Sequence, residues 1–292
     1  MSGKALMTIT CFIWALNTTL TKIGLEGFSS YNFLFYRFLL GAVLLTIIFK
    51  GRLKNIKKST FISGVLLSMA LFVGNAALTV SLDYLSAAEV NTYTALQIPM
   101  IPILAFLFIR EKLTTKSVLC AILAALGTAV FNYTGSEMNM NIGVYIAILA
   151  AAGYAMHIVF TEKFVQDQDG VLLIIIQSYF IALYSGVLSF YSEGGLNFTA
   201  DTKSIVALIV TGILANAISY VLQTLAQKKI TASETGIIIA LMPVFGLIIA
   251  MVLLGDRLTY FGGIGTGMIL LSVFISNIDF KFKKNKVSEV NQ

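Results

Sequence analysis

Residues 85–114 read "LSAAEVNTYTALQIPMIPILAFLFIREKLT", and residues 230–259 read "ITASETGIIIALMPVFGLIIAMVLLGDRLT". Each stretch opens on small residues and a glutamate, Glu89 or Glu234. Each continues as a proline-marked apolar run and closes on an acid-base-Leu-Thr turn. The offset between them is 145 residues. An apolar run of this length, written twice, reads as a membrane-crossing unit that the chain has duplicated.

The composition agrees. Of 292 residues, 58% are hydrophobic and 12% are charged. A soluble domain carries about a quarter charged residues, so this chain has too little polar surface to cover a core of its own, and lipid is the missing solvent. Cys11 and Cys120 stand in separate apolar runs and form no disulfide framework. The single histidine, His157, has no strong ligand near it in sequence, so no metal and no cofactor are expected. The first apolar run lacks a small-residue cleavage site after a short apolar core, and it reads as a retained helix.

A helix needs about 20 residues to cross the hydrocarbon layer. Ten segments qualify, near 5–25, 31–49, 60–82, 87–109, 116–134, 142–163, 171–192, 204–227, 232–254 and 260–278. With the N-terminus placed in the cytoplasm, sixteen of the twenty basic residues fall on cytoplasmic segments, with clusters at 50–58, 110–116 and 281–286. This asymmetry predicts ten spans with both termini inside. Thr114 then ends span four on the inside and Thr259 follows span nine on the outside, so the two copies cross in opposite senses. "WALNTTLTK" from Trp14 and "YAMHIVFTEK" from Tyr154 give a weaker echo at the starts of spans one and six. The expected fold is an all-α polytopic membrane protein, its ten helices arranged as two inverted five-helix repeats. The expected boundaries are 1–137, 138–280 and a basic cytoplasmic tail at 281–292. The charge of +6 matches the inner leaflet, and no nucleic-acid motif accompanies it.

Polar groups at lipid depth must face protein or water. On span one, Trp14, Asn17, Thr18 and Thr21 share a broad face. Asn75 marks span three. Glu89, Tyr93 and Gln97 are spaced four apart on span four, which predicts a stripe. Tyr154 and His157 mark span six, and Tyr220 and Gln223 mark span eight. Each of these candidates for substrate contact has a plainer alternative in bundle packing or interhelical hydrogen bonding. Arg37 either neutralises a carboxylate on the solute or pairs with an acid. Glu89 and Glu234 fit a gate, a charge partner or a helix start. Pro99 and Pro102 in span four, and Pro243 in span nine, each remove a backbone donor and predict a shared bend.

The paired "SAAE…P…REKLT" and "TASE…P…GDRLT" regions resemble the drug/metabolite transporter superfamily, in its ten-helix EamA-like branch. "FIWALNTTLTK" and "YRFLLGAVLL" add to the likeness, which runs over about residues 5–278. The resemblance implies a bacterial inner-membrane exporter or permease for small metabolites. It also implies alternating access through a central cavity lined by spans one, three, four, six, eight and nine. Trp14, Asn75, Tyr93, Gln97, Tyr154 and Tyr220 are then the cavity positions.

The amides, tyrosines and tryptophan suit a small polar or amphipathic solute such as an amino acid. Export is read from the resemblance alone, with an uptake permease or exchanger as the alternative. No phosphate-binding loop is present, so a proton or counter-substrate gradient is the expected drive, and the sequence does not choose between them. A monomer and a homodimer both fit. A membrane enzyme would need a centre built from Glu89, His157 and Arg37, which belong to three separate spans and match no catalytic motif. A channel is the other competing class.

Overall fold

The computed structural model describes residues 1–85, 90, 93–131, 133, 141–254 and 259–277. Glu89 and the 281–292 tail lie outside the described residues. Among the described residues the regular structure is helical. The helices are α1 (Gly3–Gly24), α2 (Ser30–Ile48), α3 (Lys58–Ser81), α4 (Gln97–Ile109), α5 (Thr115–Phe131), α6 (Ile142–Val165), α7 (Gly170–Ser192), α8 (Thr202–Gln227), α9 (Ala232–Ile239), α10 (Met242–Leu254) and α11 (Tyr260–Asn277). A short 3-10 turn, Lys50–Asn55, follows α2. Six of the helices, α1, α2, α3, α6, α7 and α8, are long and apolar enough to cross a membrane. Shorter apolar helices fill the positions expected for spans four, five, nine and ten.

Helix starts follow from local sequence. The first N–H groups of a helix have no partner inside it. Ser2, Asn141, Asp169 and Asp201 each turn a side-chain oxygen onto one of them, opening α1, α6, α7 and α8. Thr231 and Glu234 form a reciprocal capping box at α9. Helix α2 lacks a cap from its own N-cap residue and takes one from the end of α7. Glu193 accepts from Tyr31 N at 2.8 Å, Asn32 N at 3.0 Å and the Ser29 hydroxyl at 2.6 Å. A carboxylate at the positive end of the helix dipole clamps the two helices together.

Span four and span nine are each interrupted. Residues 95–96 and 240–241 form turns, at the same 145-residue offset as the sequence copies. Helical i−4 bonding is replaced there by i−3 bonds: Leu96 N to Tyr93 O, Ile98 N to Ala95 O, Ala240 N to Ile237 O and Leu241 N to Ile238 O. Pro99 and Pro243 have no N–H for the carbonyls of Ala95 and Ile239, which favours the turns found there, whereas Pro102 is accommodated inside α4. Where the periodicity predicts one helix over 232–254, there are two, α9 and α10.

The helices pack as α3 on α6 and α7, α1 on α8 and α10, α2 on α7 and the middle of α8, α4 on α6 and α9, and α5 on α11. Small residues set the closest approaches, as membrane bundles require. A Cβ at Gly153 would stand 2.6 Å from the Gly74 nitrogen, so α3 and α6 meet backbone to backbone. Between α5 and α11 the close approach is made at Gly265, where a Cβ would stand 2.5 Å from the Gly127 carbonyl oxygen and the Phe131 nitrogen, whereas one at Gly267 meets nothing.

Gly265→Ala therefore overpacks a rigid backbone contact and should cost about 1–3 kcal/mol. Gly267→Ala has space and should raise helix stability by about 0.5–1 kcal/mol. Thermal unfolding in detergent orders the two variants. A second prediction concerns Asp83, in the turn after α3. Burial and then the nearby Glu193 carboxylate push its carboxyl above the usual range. Its charged form is thus disfavoured in the folded state, and the penalty develops as pH rises from the ordinary carboxylate range. Asp83→Asn should raise Tm at neutral pH and leave it unchanged near pH 3.

Candidate functional site

Between the two interrupted spans lies a cavity of about 90 Å³. Thr94 and Gln97 bracket one helix break and line the cavity; Ile239 and Met242 bracket the other and do the same. These are matching positions of the two copies, 145 residues apart. Helix α1 contributes Trp14, Asn17, Thr18 and Thr21, the face read from its spacing. Helix α3 contributes Leu71, Asn75 and Leu78; α6 contributes Tyr154, His157 and Ile158; α8 contributes Tyr220.

Arg37 of α2 completes the lining. Its side chain is 2% exposed, and among the described residues no carboxylate lies within salt-bridge distance. Nη1 donates to the Thr21 hydroxyl at 3.1 Å, and Nη2 donates to Asn75 Oδ1 at 2.5 Å. Asn75 is held for this by its own Nδ2, which donates to Leu71 O at 3.0 Å. The guanidinium carbon stands 5.6 Å from the Phe33 ring centre and 5.2 Å from that of Phe38. The Arg37 Nε is buried with no partner.

Aromatic side chains share the lining with this cation. Trp14 and Tyr220 rings are 5.8 Å apart, and His157 and Tyr220 rings are 5.9 Å apart. Trp14 Nε1 donates to Ser219 Oγ at 2.8 Å, which fixes the indole against α8. Ser219 follows the π-helical segment Thr211–Ile218, a widening of α8 in the turns before Tyr220. His157 Nε2 pairs with Gln177 Oε1 at 3.2 Å, and the Thr161 hydroxyl lies 3.4 Å from the same nitrogen. Asn17 Oδ1 is buried without a donor.

Of the residues singled out from sequence, Trp14, Asn17, Asn75, Gln97, Tyr154, His157 and Tyr220 are brought together on this lining. Tyr93 is not among them. It packs with Leu85, Val90, Val144 and Ala147 against α6. The predicted stripe of Tyr93 and Gln97 needs an unbroken helix, and the turn at 95–96 separates the two residues. Gln223 also stands apart: its Nε2 donates to Gln227 Oε1 at 2.9 Å, and Gln227 Nε2 donates to Ile158 O at 2.9 Å. That ladder ties α8 to α6.

Glu234 caps α9 and pairs with Lys4 Nζ at 3.2 Å, which joins the starts of α9 and α1. Thr94, Ile239 and Met242 carried no polar periodicity to mark them. The 145-residue offset finds Met242 as the mate of Gln97, and pairs Thr94 with Ile239.

A contiguous apolar cluster fills the bundle between the cavity and the end where α1 begins. Met7, Ile101, Val159, Ile230 and Ile238 belong to it, and Cys11 Sγ lies 3.5 Å from Ile238 O within it.

The pattern of the EamA-like transporter family matches residues 1–133 and again residues 141–278. The chain belongs to the EamA-like transporter family. An "uncharacterized transporter" of Archaeoglobus fulgidus is 24% identical over 272 residues, covering 93% of this chain and 84% of the relative. "Uncharacterized transporter YvbV" of Bacillus subtilis is 22% identical, covering 98% and 95%. "Uncharacterized inner membrane transporter YicL" of Salmonella typhimurium is 26% identical over 224 residues, covering 73% of each chain. A crystal structure matches the fold with a TM-score of 0.77 at 15% identity, covering 94% of this chain and 95% of its own. The EamA chain described here is accordingly a membrane transporter, with α2 adding Arg37 to the spans that the family resemblance implied.

At the Lys4–Glu234 pair, both side chains are more than a third exposed. Lys4→Gln should then change stability by less than about 1 kcal/mol. Glu234→Ala also removes half of the capping box and should cost about 1–2 kcal/mol. Paired Tm measurements in one detergent test this order.

Proposed function

We propose that this EamA chain is a secondary transporter working by alternating access, and that it exports a small polar or amphipathic metabolite such as an amino acid. The observation that carries the reading is the cavity seated between the breaks at 95–96 and 240–241, with both breaks contributing lining residues. Interrupted helices at membrane depth are tolerated where they line a cavity, and transporters place their binding sites there.

Two inverted repeats, 1–137 and 138–280, would produce this pairing of breaks. The packing supports them. Counting spans in order, α3 on α6 is matched by α8 on α1, α4 on α6 by α10 on α1, and α3 on α7 by the middle of α8 on α2. Each pair maps onto its mate by a shift of five spans. The apolar cluster toward the start of α1 gives the cavity one closed side, as a carrier requires in each of its states and an open channel does not. The basic residue asymmetry supports cytoplasmic termini, and the Salmonella relative, named an inner membrane transporter, supports placement in the inner membrane of a bacterium.

Purified protein in sealed vesicles, offered a mixed pool of small metabolites under imposed pH and substrate gradients, tests the reading. Saturable movement and counterflow of at least one unmodified solute are expected. Chemical conversion of the solute, or flux without saturation, would replace the carrier by an enzyme or a channel. Once a solute is found, Gln97→Ala and Trp14→Ala should raise its KM by about tenfold. Tyr93→Ala and Gln223→Ala, placed off the lining, should change KM by less than about twofold.

A further inference from the structure

We propose that the transported solute is a small organic carboxylate, and that the unused edge of the Arg37 guanidinium holds its carboxylate group. This rests on the transporter reading and names the chemistry of the same cavity. A guanidinium has five N–H donors and keeps its charge at any physiological pH. Two of the five are engaged, by Thr21 and Asn75, and Nε is buried with no acceptor. Neutral dipoles and two phenylalanine faces surround the charge. These replace only part of the hydration that a cation loses on burial, and a carboxylate supplies the rest.

Thr21 and Asn75 hold two donors from α1 and α3, and both partners belong to the cavity lining, so the guanidinium is anchored beside the cavity. Among the described lining residues Arg37 is the one permanently charged group, which matches a solute with a single negative charge. Trp14, Tyr154 and Tyr220 offer ring surface to a short organic body. Asn17 lies one helical turn from Thr21, about 5–6 Å away, and its orphan Oδ1 accepts from a hydroxyl or ammonium on the same solute.

Matched pairs of probes test this: lactate against lactamide, and alanine against alaninamide. Each is measured as ligand-induced Tm shift in detergent and as movement into sealed vesicles. In the wild-type protein, the carboxylate of each pair should bind about tenfold or more tightly than its amide. Arg37→Gln, checked for monodispersity and helicity, should reduce that preference to below about twofold, and Arg37→Lys should restore part of it. The readout is the ratio within a pair, which a purely structural role of Arg37 would leave intact.

Equal response to acid and amide in the wild type would overturn the inference, as would a preference that survives Arg37→Gln. If Arg37→Gln does not fold, the wild-type ratios decide. Neutral or cationic solutes that move while carboxylates do not would leave the transporter reading standing and end this one. If no solute of any class moves or binds, both readings fall together.

Discussion

Lipid cannot hydrogen-bond a peptide group, and that constraint governs this molecule. A spanning segment must satisfy its backbone internally or turn the unsatisfied part toward protein or a cavity. Pro99 and Pro243 each remove a donor that an unbroken helix would need. The chain responds in both places with the same short turn and the same i−3 bonding. The two turns border one cavity, and the helices that enclose it come from both halves of the chain. Had either break faced outward, unpaired carbonyls would have met hydrocarbon at a cost of several kcal/mol. The two breaks thus bear on the position of the site as well as on the shape of two helices.

Much of the bundle was legible because a hydrocarbon slab rewards a single, simple pattern. Long apolar runs separated by short polar turns predict helices, and α1, α2, α3, α6, α7 and α8 are found with boundaries near those expected. The face of α1 carrying Trp14, Asn17, Thr18 and Thr21 was legible for the same reason, since an unbroken helix keeps its period. Tyr93 lies where that pattern loses its meaning. Its spacing from Gln97 has meaning only if four residues make a turn of continuous helix, and two of them are in a break. Gln223 shows a different limit. A buried amide looks the same in sequence whether it meets a solute or a neighbouring glutamine, and the Gln227 ladder decides it here.

Close packing sets a third limit. Small residues every fourth position mark a helix that can approach another, but they do not say which face does so. On α11 the glycine at 265 meets the Gly127 carbonyl, and the one at 267 faces open space. On α6, Gly153 lets α3 come within backbone distance, and its neighbour Tyr154 is thereby delivered to the cavity. The tyrosine's place in the site thus depends on the glycine beside it, a dependence that polar periodicity alone does not reveal.

Arg37 joins the bundle to its chemistry. It sits on α2, a span that the pattern of polar residues marked only through this one charge. Pairing with an acid would have made it a rivet between helices. The described surroundings offer it instead a threonine hydroxyl, an asparagine oxygen and two aromatic faces, none of which carries charge. A buried cation so placed is costly when the cavity is empty and less so when an anion is present. In the proposed carrier, a cavity filled by the proposed carboxylate would close over a neutralised pair, whereas the empty one would close over a bare charge. On that proposal, differential stability of the closed forms, filled over empty, would couple solute occupancy to a change of access.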